Sequence, residues 1–323
     1  MSFQAVERLI KKHKRFLVTT HTHPDPDALS SQLAMAEYLK FLGKKVHLVN
    51  DSEVPTRLRF LPGTARIKSY QSLKKGQPSP WDVVIIVDCG DLERVGKVQG
   101  GIGAGQPIVN IDHHVTNDSF GDVPLVKPNA SSTAEVLFDF FQHARFPLTK
   151  KVAMLLYLGI MTDTGSFRYD NTSAHTHQVA GELLRFGIPV DQLYRRLYEM
   201  IPLKDLRHFG KVVNEFDFLY DGKLVCLDLP RRRVKQFSKE FDLRDKIFQY
   251  LRAIKGVEVI AIFTEQRKNI TRVNFRSQGQ VNVARLASFF NGGGHRKASG
   301  CVLMTNLRNT RRKVIAKIRE GLK

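Results

Sequence analysis

The segment VVIIVD, Val83 to Asp88, constrains this chain more than any other. Its five consecutive β-branched apolar residues leave no polar face, so a strand built from them must be covered on both sides. Strands of that kind belong to parallel sheets whose crossover helices lie on the sheet faces. FLVTT (Phe16 to Thr20), KVHLV (Lys45 to Val49) and PIVNID (Pro107 to Asp112) read as further strands. Amphipathic segments alternate with them, the clearest running from about Ala28 to Leu42 and stopping at Gly43. The fold class is α/β, with a mainly parallel sheet flanked by helices.

Beyond Asp112 the pattern turns helical through STAEVLFDFFQHARF, KKVAMLLYLGIMTDT, SAHTHQVAGELLRFG and VDQLYRRLYE. From about Glu215 strands return as FDFLY, KLVCLDLP, VEVIAIFT and ITRVNFRS. A chain of 323 residues suits two cores at roughly 150 residues per domain. We expect a larger domain over residues 1–190, a helical linker over 191–215 and a smaller α/β domain over 216–323, with a cleft between the domains as the place for a site. GGIGAG (Gly100 to Gly105) precedes a strand instead of following one and opening a helix, so it reads as a turn, not a nucleotide-binding loop. No stretch approaches the ~18 apolar residues of a membrane span, and the N-terminus reads as an amphipathic helix rather than a signal peptide. A cytoplasmic protein with no membrane partner is expected. Cys89, Cys226 and Cys301 form no CxxC pair and read as small buried thiols.

The net charge of +20 is unevenly placed. From Asp191 onward there are 29 Lys and Arg against 13 Asp and Glu, leaving 22 against 18 for residues 1–190. Between Gln266 and Arg319 there is no acidic residue, against 13 basic ones. Such a segment attracts polyanions, so nucleic-acid contact through the basic C-terminal domain is expected. For the final helix a solvated basic face gives the same pattern.

The strongest local signal is HTHPDPDALSS, which begins where FLVTT ends. Open α/β sheets build their sites at strand carboxyl ends. His21, Asp25 and Asp27 arrive there on one short loop, which Pro24 and Pro26 stiffen. Two carboxylates and an imidazole packed so closely repel, and a divalent cation relieves that. Asp88 closes VVIIVD, Asp112, His113 and His114 close PIVNI, and Asp163 ends the apolar helix VAMLLYLGIMT. Asp163 also reads as a cap or turn residue. Together these groups supply enough ligands for two divalent ions sharing a bridging carboxylate, a set suited to in-line displacement at phosphorus. A mixed imidazole and carboxylate set favours manganese, with zinc, iron and cobalt open and magnesium less natural. His47, His143, His175 and His177 have no carboxylate beside them in sequence and read as surface or packing residues.

NGGGH (Asn291 to His295) offers consecutive backbone N–H groups without side-chain obstruction, a chain that can wrap an anion closely. A glycine helix cap is the alternative, since an amphipathic helix precedes it. Arg276, in TRVNFRS, could make a bidentate phosphate contact.

HTHPDPDA, VDCGD, DHHVTNDSFGD, SSTAEVLF, LGIMTDTGSFRYDNTSAHT and NGGGHRKASG, in this order and over nearly the whole chain, resemble the DHH phosphoesterases with a DHH-associated C-terminal domain. Within that family the resemblance is closest to the bacterial nanoRNase and pAp phosphatase enzymes. It implies that His21, Asp25 and Asp88 hold one metal and that Asp27, Asp88, His113 and Asp163 hold the other, with Asp88 bridging. His114 would contact the scissile phosphate, as a catalytic residue with Asp88. Arg276 and the Gly293, Gly294 and His295 stretch would grip the substrate. Two departures are visible: Ser30 stands where glycine is common, and Asn291 where the glycine run often begins.

The expected reaction is metal-dependent hydrolysis of short oligoribonucleotides, dinucleotides or 3′-phosphoadenosine 5′-phosphate to nucleoside monophosphates. Three other readings stay open: a longer-chain single-strand exonuclease of the RecJ type, a cyclic or linear dinucleotide phosphodiesterase, and a non-catalytic nucleic-acid-binding module. A pyrophosphatase ranks low, because that branch resembles a different C-terminal domain. The sequence leaves a homodimer open.

Overall fold

The computed structural model describes residues 2–72 and 80–321. The chain divides into two compact units between Glu199 and Met200. In the first, α1 (Phe3–Lys12) precedes β1 (Arg15–Thr19), α2 (Pro26–Phe41), β2 (Lys45–Asn50), β3 (Lys68–Ser69), β4 (Val83–Val87), β5 (Ile108–Asp112) and β6 (Val123–Val126). Helices α3 (Thr133–His143), α4 (Lys150–Asp163), α5 (Ala174–Leu184) and α6 (Val190–Tyr198) follow. The sheet order is β3-β2-β1-β4-β5-β6, and every adjacent pair is parallel. The strand β6 interrupts a stretch whose sequence reads as purely helical. Its four residues VPLV are too short to show a strand period, and its pairing with β5 makes it one.

The central strand β4 is buried at every position. Val83, Ile85 and Val87 face the large core under the helices, while Val84 and Ile86 face a smaller cluster with Leu17, Trp81, Val95 and Val98. The cover on that second face is a 3-10 segment, Leu92–Gly101, not an α-helix. Twelve of the sixteen residues of α2 are buried, so this helix is enclosed on nearly all sides rather than amphipathic. Its polar interior positions are paired. The Gln32 side-chain amide donates to Val18 O at 2.8 Å and to Asn50 Oδ1 at 2.7 Å, and Asn50 Nδ2 returns a bond to Gln32 Oε1 at 3.0 Å. These bonds fix α2 against β1 and β2, because sliding the helix would bury unpaired amides.

At the other end of the sheet Asp82 accepts from Arg15 N at 2.9 Å, Arg15 Nε at 2.8 Å and Arg15 Nη2 at 2.6 Å. These bonds to Arg15 hold the Asp82 carboxyl down at about 2. A carboxylate lowered in the folded state stabilises above its unfolded value near 3.9, and that contribution disappears as pH falls through the folded value. We expect Asp82→Asn to melt earlier than the parent at pH 7, with the gap closing between pH 4 and pH 2. Thermal melts across that range check it. The effect is small because the pair is solvent-facing.

The second unit begins with α7 (Leu203–Val212) and continues through β7 (Asp217–Leu219), β8 (Leu224–Leu229), α8 (Arg231–Val234) and α9 (Leu243–Leu251). Then come β9 (Val259–Arg267), β10 (Ile270–Ser277), α10 (Val283–Phe289), β11 (Gly293–His295), β12 (Ala298–Leu303) and α11 (Leu307–Gly321). Its mixed sheet runs β11-β12-β10-β9-β8-β7. Val259, Ala261, Phe263, Val273 and Phe275 pack on one face with Val283, Val314 and Ile318, while Ile260 and Ile262 pack on the other with Ile247 and Leu251. The helical stretch expected as a linker divides between the units: Leu193 of α6 joins the first core and Val212 of α7 the second. Cys89, Cys226 and Cys301 are buried, and burial pushes each thiol up to about 12. No helix among the described residues is long and apolar enough to cross a membrane.

Candidate metal centre

In the first sheet β2 lies on one side of β1 and β4 on the other, so the strand order reverses between β1 and β4. The helical connections diverge at such a point and open a crevice at the strand carboxyl ends. His21 follows β1, Asp88 follows β4, and Asp112 to His114 end and follow β5. Asp25 and Asp27 enter from the first turn of α2, and Asp163 from the last residue of α4.

Local geometry aims each group. Asp25 is the N-cap of α2 and accepts from Ala28 N at 3.0 Å. Asp27 is 2% exposed and accepts from Thr133 N at 2.8 Å and Ala134 N at 3.1 Å, the opening N–H groups of α3. A helix N-terminus is a favourable place for a buried carboxylate, since its unpaired N–H groups and dipole both attract negative charge. Asp88 is also 2% exposed and sits at φ 55°, a left-handed conformation uncommon outside glycine. Thr133 Oγ1 donates to its Oδ1 at 2.9 Å, which helps hold that conformation.

The histidines are oriented from behind. His21 Nδ1 lies 2.8 Å from Thr22 O and His113 Nδ1 lies 3.3 Å from Ala130 O. A carbonyl oxygen only accepts, so each Nδ1 carries the proton and Nε2 is left to act as a ligand. His21 Nε2 is 3.6 Å from Asp88 Oδ2 and 3.9 Å from Asp25 Oδ2. His113 Nε2 is 3.3 Å from Asp163 Oδ2 and 3.8 Å from Asp88 Oδ1. His114 differs, because its Nδ1 bonds Asp112 Oδ1 at 2.7 Å while Asn117 Nδ2 donates to the other Asp112 oxygen at 2.6 Å.

Ligand atoms of His21, Asp25 and Asp88 lie within 4.8 Å of one another, as do those of Asp27, His113 and Asp163. Asp88, Asp112, His113 and His114 form a third such group. Charge balance fits cations at this place. Burial, then repulsion from Asp88 and Asp163, raises the Asp27 carboxyl well above its ordinary value, and burial raises Asp163 to about 6. Burial also opposes ionising Asp88, but the close imidazoles of His21, His114 and His113 outweigh it and lower this carboxyl. For His114 burial opposes the charged ring, yet the bond to Asp112 and the Asp88 charge raise it to about 9. Divalent ions displace the protons that buried, mutually repelling carboxylates such as Asp27 and Asp163 retain, and the donor set of imidazole and carboxylate suits transition metals.

The profile of the DHH family N-terminal domain matches residues 15–160, and that of the DHHA1 domain matches residues 236–320. The chain belongs to the DHH family. A Thermus thermophilus protein named bifunctional oligoribonuclease and PAP phosphatase NrnA is 32% identical over 306 residues, 94% of this DHH chain and 89% of its own length. A Bacillus subtilis protein of the same name is 28% identical over 298 residues, covering 91% and 90%. A crystal structure of an exopolyphosphatase-related protein from Bacteroides fragilis superimposes with a TM-score of 0.87 at 25% identity, covering 98% of this chain and 94% of that one.

Every metal-ligand candidate of this DHH chain thus reaches one crevice: His21, Asp25, Asp27, Asp88, His113 and Asp163, with His114 beside them. Three residues that matter there were not picked out by the sequence. Thr133 and Asn117 hold Asp88 and Asp112. Gly159 lies one turn before Asp163 in α4, where an added Cβ would stand 2.4 Å from Asp27 Oδ1 and 2.6 Å from Ala134 Cβ. The signals existed. Ser132 to Glu135 has the S-x-x-E form of a capping box, which announces a helix N-terminus, and a lone glycine inside an apolar helix asks for a packing reason. Two histidines set aside as lacking carboxylates have them in space: His175 Nε2 is 2.9 Å from Asp139, and His143 Nε2 is 3.8 Å from Glu7.

In the second unit the NGGGH stretch is not a free loop, because Gly293 to His295 pair with Ala298 to Gly300 as antiparallel strands. A Cβ on Gly292 would meet Gly300 O at 2.3 Å and one on Gly294 would meet Ala298 O at 2.6 Å, so these glycines permit close strand approach. Asn291, at φ 55°, takes the left-handed position after α10 that a capping glycine would occupy. Arg276 lies with its guanidinium carbon 4.6 Å from the Phe248 ring centroid, and its register partner in β12 is Ala298, which also pairs with His295. The His295 side chain lies outside the described residues.

Proposed function

We propose that this chain is a two-metal phosphoesterase, manganese being the preferred ion, that hydrolyses short oligoribonucleotides and 3′-phosphoadenosine 5′-phosphate to nucleoside monophosphates. The observation that carries this reading is the sharing of Asp88 between two ligand sets. Its Oδ2 faces His21, beside Asp25, and its Oδ1 faces His113, beside Asp27 and Asp163. Ions bound there would activate water and neutralise charge on the phosphoryl oxygens. The names of the Thermus and Bacillus relatives support the substrate class.

The chain's own residues have separate tasks in this reading. His21 and His113 present Nε2 because Thr22 O and Ala130 O hold their other nitrogens. Asp27 is kept in place by the α3 N-terminus. His114, fixed by Asp112 and Asn117, contacts the scissile phosphate and orients it. Arg276, flattened on Phe248, and the backbone of Gly293, Gly294 and His295 are the contacts for the nucleoside or distal phosphate of the substrate.

The test is a comparison of initial rates with manganese on 2-mer, 5-mer and 24-mer RNA, adenosine bisphosphate, cyclic dinucleotides and pyrophosphate. We expect the 2-mer and the bisphosphate to be turned over fastest. A clear preference for the 24-mer would support the RecJ-type reading, and exclusive hydrolysis of pyrophosphate would overturn the ester substrate altogether.

A further inference from the structure

The second unit carries a row of arginines that the proposed reaction does not use. Arg308, Arg312 and Arg319 of α11 line a groove of about 460 Å³ together with Arg311, Tyr220, Ile315 and Ala316. Arg308, Arg312 and Arg319 are exposed. Arg311 is neutralised by Asp217 and by Asp228, the latter at 2.9 Å. The other three arginines make no ion pair among the described residues. All three lie on one helix and line the same groove, so their charges are not offset where they converge. A second groove, of about 560 Å³, is lined by Arg231, Lys235 and Arg267 but also by Glu265, which accepts from Arg231 N at 3.0 Å. The α11 groove alone of the two has no carboxylate in its lining.

Positive charge in a groove with an aromatic ring in its wall is how proteins hold single-stranded nucleic acid without reading its sequence, through phosphate contacts and base stacking. Arginine also matches phosphate by its planar fork, which lysine lacks. From Arg308 to Arg319 the helix rises ~16 Å at 1.5 Å per residue, and a strand stacked at the duplex spacing of ~3.4 Å per nucleotide would place about five across it. We propose that the α11 groove binds the backbone of single-stranded RNA of about five or more nucleotides, with Arg308, Arg312 and Arg319 on phosphates and Tyr220 under a base. A dinucleotide is too short to span these arginines. The groove therefore acts on longer chains only.

The test measures binding separately from hydrolysis. Fluorescence anisotropy of a labelled 24-mer RNA, with full-length protein in EDTA so that the probe is not cut, is compared for the parent, for R308A/R312A/R319A and for Y220A. At low salt the triple variant should bind at least ~10-fold more weakly, and its plot of log affinity against log salt should flatten by about 2, from three lost contacts at ~0.7 each. Y220A should weaken binding without changing that slope. Manganese-dependent hydrolysis of a dinucleotide by both variants should equal the parent's, and matching thermal melts show that they are folded. Unchanged 24-mer affinity in the triple variant overturns the proposal. So does loss of binding to vesicles containing phosphatidylglycerol with RNA binding intact, which would make the groove a membrane contact. A parent that binds RNA through α11 but hydrolyses no dinucleotide would leave this groove standing and remove the proposed reaction instead.

Discussion

Asp88→Asn is expected to abolish manganese-dependent hydrolysis while leaving the protein folded. Asparagine is the informative choice. It tolerates the left-handed backbone that Asp88 adopts at φ 55° better than most residues, and its amide oxygen can still accept from Thr133 Oγ1. What it removes is the negative charge that faces both His21 and His113. Metal ions stabilise charge in a phosphoryl transition state by several kcal/mol, and each ~1.4 kcal/mol is tenfold in rate, so loss of the shared carboxylate should cost ~10³-fold or more. Calorimetric titration with manganese should show weakened binding in the same variant, with an unchanged near-ultraviolet circular dichroism spectrum. A folded Asp88→Asn protein that keeps parental turnover would sink the shared-carboxylate assignment.

The second large effect is expected from a single methyl group. Gly159→Ala places a Cβ 2.4 Å from Asp27 Oδ1 and 2.6 Å from Ala134 Cβ, distances that packed atoms do not sustain. Either α4 moves away from α2 and α3, or Asp27 turns off the two N–H groups that hold it. Overpacking of this sort costs typically ~1–3 kcal/mol, even though alanine is otherwise the better helix residue by ~1 kcal/mol. Misplacement of a catalytic group by ~1 Å can cost ~10²-fold in rate. We therefore expect a lower melting temperature and ~10²-fold lower kcat, with weakened manganese binding. Parental kcat in Gly159→Ala would show that Asp27 has room to move and does not depend on this approach.

Much of the crevice was legible because chemistry and position coincide in one short segment each. HTHPDPD announces ligands by composition and begins where a strand ends, and VVIIVD declares both a doubly covered strand and the carboxylate at its exit. Neither needs a distant residue to be recognised. The settings of these groups were not legible in the same way. Thr133 stands 45 residues from Asp88 in sequence, and 106 separate it from Asp27. Only the packing of α3 onto the strand ends brings its N–H and hydroxyl to both carboxylates. In the NGGGH stretch the glycines have a use that only the structure shows. Its glycines suggested a bare anion-wrapping loop, whereas their missing Cβ atoms allow β11 to lie against β12, with Gly292 and Gly294 close to backbone atoms across the strand pair.

The sequence by itself determined the α/β class, the parallel sheet, which side chains are candidate ligands and the basic second half. Each follows from local composition or from a period within one segment. Tertiary structure alone decided that the strand order reverses between β1 and β4, which is why candidate ligands from five separate elements share one crevice. It also decided which nitrogen each histidine presents, because the carbonyls of Thr22 and Ala130 that fix the rings are set by how the backbone turns after β1 and before α3. Residue types specify which atoms can bind a cation; the long-range pairing of strands and helix ends specifies whether those atoms converge.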